Sequence, residues 1–463
     1  MKQYAVCLLG LSLSMVACSG QSPQQDETAS SSESDYARKH WGGGTSGADA
    51  GTSTTTSDGG ASQSNDASTS TQNDSGTSTT SCIGGDLMNK LGKKRMLVGA
   101  TMADSSASAA PWDFRYLYIA GGLMDSSNVC SSCATSCTSN GVTCSSSGPG
   151  CAWWGCWQWD QQPPGQYARD FVAKAQQGGQ IPMFTYDVLL QASGVAEGTA
   201  EATQAATNVA FMTRYYSDWR LLLQAIGSSR AFIHIEPDFW GYAQNASSNP
   251  HASAAVASAN ATDCGSQENS IAGMGRCMIA MARKYAPNAL VGLHASSWST
   301  GVEVAYNAQT SVNVAAEAQK TASFLTACGA DVSDFIVVEA SDRDAGYYDS
   351  VGNPHWWDAT NTKLPTFHQD FAWLKALSEA ANKPLFEWQI PVGNMSLANT
   401  SNAWRDNRAD YFFAHMDELT AAHVFAVGYG AGASGMTTPE SDNGHLISLD
   451  QSYVSSGGRA FCP

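Results

Sequence analysis

The side chains in this 463-residue sequence best suited to bond-breaking are carboxylates set in short apolar runs. In His234-Ile235-Glu236-Pro237-Asp238, strand alternation puts His234, Glu236 and Asp238 nominally on one face, with Ile233 and Ile235 on the other. In Phe386-Glu387-Trp388-Gln389-Ile390, Glu387 and Gln389 share a face opposite the three apolar residues. Two acids facing one another across a cleft make a pair. One, protonated, assists a leaving oxygen, and the other, ionised, attacks a carbon or activates water. A third string, Ser341-Asp342-Arg343-Asp344, adds Asp342 and Asp344, for which catalysis and loop-holding ion pairs with Arg343 stand as equal alternatives.

The neighbours of these acids suit a sugar. Tyr186, Trp240, Trp298, Trp388 and Tyr429 offer stacking faces, each with core packing as its alternative. Asp187, His234, His294, Gln389 and Asn394 complete the polar set for substrate, although Asp187 reads more readily as an acceptor of loop amides. His234 and His294 lack His-x-His or His-Glu-x-x-His spacing, so they read as hydrogen-bonded histidines and no metal is expected. Ser296 and Ser297 lack the Gly-x-Ser-x-Gly elbow of a serine hydrolase. Glu339, on the same run as Val337, is expected to point outward. No cofactor motif is present.

The elements that must position these groups are short β-branched runs at 95–102, 116–121, 181–189, 231–236, 289–298, 334–340, 384–391 and 424–430. Helical periodicity lies between most of them, at 208–225, 271–285, 315–327, 371–381 and 409–422. Such alternation implies a parallel sheet. About eight strands without a Gly-x-Gly-x-x-Gly turn predict an α/β fold, a (β/α)8 TIM-type barrel over 82–463. Its chemistry should gather where strands end, and these ends are the polar strings above.

Glutamates ending strands four and seven resemble the acid/base and nucleophile of the large retaining clan of barrel glycoside hydrolases. That resemblance implies those roles for Glu236 and Glu387. Ile235-Glu236-Pro237-Asp238 is also similar to the Glu-Pro-Asp segment of glycoside hydrolase family 6, inverting cellulases, and implies a role for Asp238. The strings Pro111–Tyr116, 236–241, 341–348, His355-Trp356-Trp357-Asp358 and 388–394 look like a family of secreted bacterial barrel proteins.

The address is extracytoplasmic. Lys2, an apolar run over 4–16 and Met15-Val16-Ala17-Cys18 form a signal peptide whose end resembles a bacterial lipobox, implying cleavage before Cys18 and its acylation. From 19 to 81 Ser, Thr, Gly, Asp, Asn and Gln predominate, a composition that cannot bury enough apolar surface to fold. This reads as a disordered tether. A net charge of −17 argues against nucleic acid or anionic lipid as a partner, so the membrane is reached only through the lipid.

Cysteines favour disulfides in such a compartment. Cys130, Cys133, Cys137, Cys144, Cys151 and Cys156 crowd into the long connection 123–180 and read as three local bridges, with zinc at Cys130-x-x-Cys133 as the alternative. Cys264 should pair with Cys277 and Cys82 with Cys462, leaving Cys328 a buried thiol. The sequence therefore predicts a monomeric, lipid-anchored glycoside hydrolase of the cell surface or outer membrane, acting on a neutral poly- or oligosaccharide. Its alternative is a non-catalytic glycan-binding lipoprotein on the same barrel. Carboxylate separation discriminates them: ~5 Å for retention, ~6.5–9.5 Å for inversion.

Overall fold

The computed structural model describes residues 82–120, 123, 136–139, 142–145, 157–158, 163–430 and 432–462. The signal peptide, Cys18, the tether over 19–81 and the pairing of the cysteine-rich loop lie outside the described residues.

Eight parallel strands close into a barrel. In chain order they are Leu97–Ala100, Phe114–Ala120, Ile181–Asp187, Phe232–Ile235, Leu290–Ala295, Phe335–Glu339, Leu385–Ile390 and Val424–Tyr429. They are called strands one to eight below. Strand one pairs with strand eight, Leu97 opposite Ala426, which closes the ring. A two-stranded antiparallel hairpin in the long second connection sets Cys137 opposite Cys144.

The bottom of the barrel is filled by Phe114, Phe232, Phe335, Phe386 and Phe425, whose rings meet at centroid distances of 4.9–6.0 Å. The rings fit because Gly99 and Gly292 face them, and a Cβ at either glycine would collide with Phe114 or Phe335. Each buried ring contributes roughly 1.5–3 kcal/mol. Above them lies a layer of Tyr116, His234, His294 and Trp388.

The surrounding helices follow their sequence signals. Helix Val209–Ile226 starts where Asn208 accepts from the Phe211 amide at 3.1 Å, and buries Met212, Tyr215, Tyr216, Trp219, Leu222, Leu223 and Ile226 at helical spacing. Ser270 and Thr366 cap helices Ile271–Tyr285 and Phe367–Ala381 in the same way. Two expectations are corrected. The run 409–422 is two helices broken at His415, and the helix from Val314 ends in a π turn at Thr326–Ala330, where Gly329 takes φ 111°.

Cys82 is bonded to Cys462 across a sequence separation of 380, and Cys264 to Cys277, while Cys328 is a buried free thiol. No helix among the described residues is long and apolar enough to cross a membrane.

Candidate active site

The end of strand four does not continue its alternation. Glu236 and Asp238 take φ 47° and 63°, left-handed values that side chains other than glycine rarely adopt. The first of these turns Glu236 out of the barrel and into the helix layer. There its Oε1 accepts from Tyr215 Oη at 2.7 Å and from the amides of Leu189 and Val188 at 3.1 and 3.3 Å. Burial, reinforced by the charge of Asp187, holds its carboxyl well above the usual range. Glu236 is only 1% exposed and its bonds hold it toward the helix layer and not toward the mouth.

The second turn sends Asp238 to the mouth. One carboxylate oxygen each of Asp238 and Glu339, and a ring nitrogen of His294, lie within 4.8 Å of one another. These residues come from strands four, six and five. Glu339 faces inward with Phe335 and Val337, which overturns the expectation that it points outward. Burial, then the negative charges of Asp238, Asp342, Glu303 and Glu387, hold its carboxyl well above the ordinary range.

Beneath this pair His234 and His294 stack at 5.1 Å, joined by Nε2 of His234 and Nδ1 of His294 at 3.1 Å, with Oγ1 of Thr185 3.4 Å from Nδ1 of His234. Burial depresses both imidazoles, His294 to about 3, so the rings are neutral. Trp388 packs nearly at right angles to them, at centroid distances of 4.6 and 5.8 Å, and floors the mouth, buried as a core residue.

Around the mouth stand half-exposed Asp187 and Asp342, the latter bonded to Tyr348 Oη and 3.6 Å from Arg343. Gln389, at φ 56°, turns inward and bonds Tyr118 Oη. Trp298 is half-buried, its ring 4.7 Å from that of Tyr242, whose hydroxyl donates to Glu197 at 2.8 Å.

Other expected site residues lie elsewhere. Phe386 and Trp388 fill the barrel, so Glu387 between them points outward to the helix layer, where neither oxygen has a hydrogen-bond partner. Burial and the nearby Asp370 hold it well above the ordinary range, against the pull of Arg408. It does not face Asp238. Asp344 accepts from the amides of Gly393 and Thr437 at 2.9 and 2.8 Å, clamping the loops after strands seven and eight. Tyr186 donates to Asp218 at 2.9 Å among helix side chains, and Tyr429 stacks outward on Phe413. Trp240 donates to the Ile235 carbonyl at 2.9 Å, and Asn394 donates to that of Asp442 at 3.1 Å. All four are core or loop residues, buried to 2% exposure or less.

Glu197, Glu201 and Tyr118 carry no sequence expectation, and Glu339 is the residue whose facing the sequence misassigns. For Glu339 a signal existed: Phe335-x-Val337-x-Glu339 shares a face, and a phenylalanine opening a barrel strand suits the interior. Glu201 sits on a one-turn π segment, accepts from Gly198 N at 3.0 Å and is pushed by burial to about 9. No periodicity marks it.

No protein-family model and no curated protein matches the chain by sequence. Solved structures matched include a glycoside hydrolase family 26 endo-β-1,4-mannanase of Cellulomonas fimi, at 11% identity and TM-score 0.44, over 83% of this chain and 76% of that one. A family 113 β-mannanase of Alicyclobacillus acidocaldarius matches at 10% and 0.37, over 78% and 97%. An endoglucanase of Mycobacterium tuberculosis matches at 14% and 0.26, over 48% of this chain; the chain spans about half of that protein, 55%. The chain is an eight-strand parallel barrel, and these matches are glycoside hydrolases.

Proposed function

We propose that this protein is a glycoside hydrolase of the cell surface, with Asp238 and Glu339 as its catalytic pair. The observation that carries the reading is their separation. One carboxylate oxygen of each lies within 4.8 Å of the other at the barrel mouth, on the side of the ~5–5.5 Å of a retaining pair and short of the ~6.5–9.5 Å that leaves room for an inverting water. Glu339, enclosed among like charges, carries the proton to the leaving oxygen. Asp238, on its strained turn, is the nucleophile. Trp298 and Tyr242 supply an aromatic face at the rim, and the acidic chain favours a neutral polysaccharide.

The test is a panel of polysaccharides scored by new reducing ends, followed by Asp238→Asn and Glu339→Gln on whichever substrate is cleaved. Each should lower turnover by roughly 10²–10⁴-fold, with the melting temperature held. Product released with its anomeric configuration kept would agree with the pair; activity unchanged in both variants sinks it. Anchorage through acylated Cys18 is part of the same proposal, and Cys18→Ser should release the protein from membranes.

A further inference from the structure

His294 holds a buried nitrogen that nothing satisfies. Its Nδ1 faces His234, but its Nε2 is enclosed and has no hydrogen-bond partner. The contacts are satisfied in either direction, with Thr185 donating and Nε2 of His294 left an N–H, or, in the second tautomer, with each ring donating through Nδ1, His234 to Thr185 and His294 to His234. That tautomer leaves Nε2 of His294 a bare lone pair. Beside the same ring converge the carboxylates of Asp238 and Glu339, all three ligand atoms lying within 4.8 Å of one another. Three potential electron-pair donors from three strands thus converge on one point, where a shared proton or a cation can sit between them.

We infer that Asp238, Glu339 and His294 bind one divalent transition-metal cation at the barrel mouth. An imidazole with two carboxylates suits zinc, cobalt or manganese, whereas calcium and magnesium take oxygen alone. His234 plays the part of the outer partner that fixes a ligating ring through its other nitrogen. The imidazole is fully buried and the two acids are half-buried at the mouth, so bonds of about 2.0–2.2 Å would require the three donors to draw together around the cation. The inference goes beyond the hydrolase reading and does not need it. Where both hold, the cation occupies the two acids that cleavage requires and blocks them.

The test titrates the chelator-stripped full chain with Co²⁺ in the absence of any glycan. Visible ligand-field absorption should saturate at one equivalent, without the near-ultraviolet band of cobalt thiolate that the cysteine-rich loop would give. Asp238→Asn, Glu339→Gln and His294→Gln should each weaken binding by about tenfold or more. The two carboxamide variants keep side-chain shape, and their unchanged melting temperature separates lost ligation from lost folding. No visible band in the parent, a thiolate band alone, or carboxamide variants that bind like the parent would each overturn the site. An active glycosidase that takes up no cobalt removes the site and leaves the hydrolase reading intact. Cobalt uptake by a chain that cleaves nothing keeps the site.

Discussion

Tyr215 gives its hydroxyl to Glu236 at 2.7 Å, so the glutamate that ends strand four is held by the helix packed behind it and not by anything in the mouth. The same oxygen draws in the amides of Val188 and Leu189 at the end of strand three. Glu236 is a brace between two strands and a helix. Its neighbour is set by a separate turn: Asp238 takes its own left-handed φ of 63° and stands at the mouth.

Glu236→Gln retains the accepting oxygen and should melt within a few degrees of the parent with turnover reduced less than about tenfold. Glu236→Ala leaves a buried hydroxyl and two amides without their acceptor and should cost roughly 2–5 kcal/mol, read by denaturant titration. A carboxamide variant with intact stability and turnover down by orders of magnitude would return Glu236 to the chemistry.

Glu387→Gln tests the opposite side of the wall. The residue faces Asp370 and Arg408 in the helix layer, so turnover should stay within about threefold of the parent. Kinetics on a cleaved substrate decide this, and a loss matching that of Asp238→Asn would require Glu387 to reach the mouth.

Asp450 sets a pH dependence. It is fully buried with neither oxygen hydrogen-bonded, and burial, then the charge of Asp113, push its carboxyl to about 7. The folded chain therefore holds this proton more tightly than the unfolded chain, where the carboxyl titrates near 3.8. This group's contribution to stability is full below pH ~4 and lost as pH rises through ~7. Asp450→Asn should match the parent at pH 4 and exceed it at pH 8 by on the order of 1–3 kcal/mol. Melting curves at the two pH values measure the difference, and a constant offset would refute the shift.

The Cys82–Cys462 bond closes nearly the whole folded chain into one loop. Replacing both cysteines by serine should cost about 2–5 kcal/mol, chiefly by freeing the unfolded ensemble. Denaturant midpoints compare the two, and equal values would mean that the ends are held by packing alone.

The barrel was legible because eight β-branched runs alternate with helical periods, a pattern that few folds satisfy. Both disulfides of the described residues and the buried Cys328 were legible from position alone. Facing was the part that failed, and for a physical reason. Strand seven is buried on both sides, so the shared parity of Glu387 and Gln389 says nothing about which side is the interior; five packed phenylalanines decide it. Positive φ at Glu236, Asp238 and Gln389 then breaks the alternation where the polar residues begin. Nothing in the residue types announces those turns. Glu339 reached the mouth by ordinary alternation and needed only its face assigned.

The five phenylalanines also act on traffic. With the lower end of the barrel stoppered by their rings, the opening above Trp388 is a cul-de-sac: whatever enters leaves by the same door. A polysaccharide of the kind proposed above would have to enter and leave from this one side and could not be threaded through the barrel. Selection among long chains then falls to the loops that border the doorway, since the floor is too tightly stacked to recede.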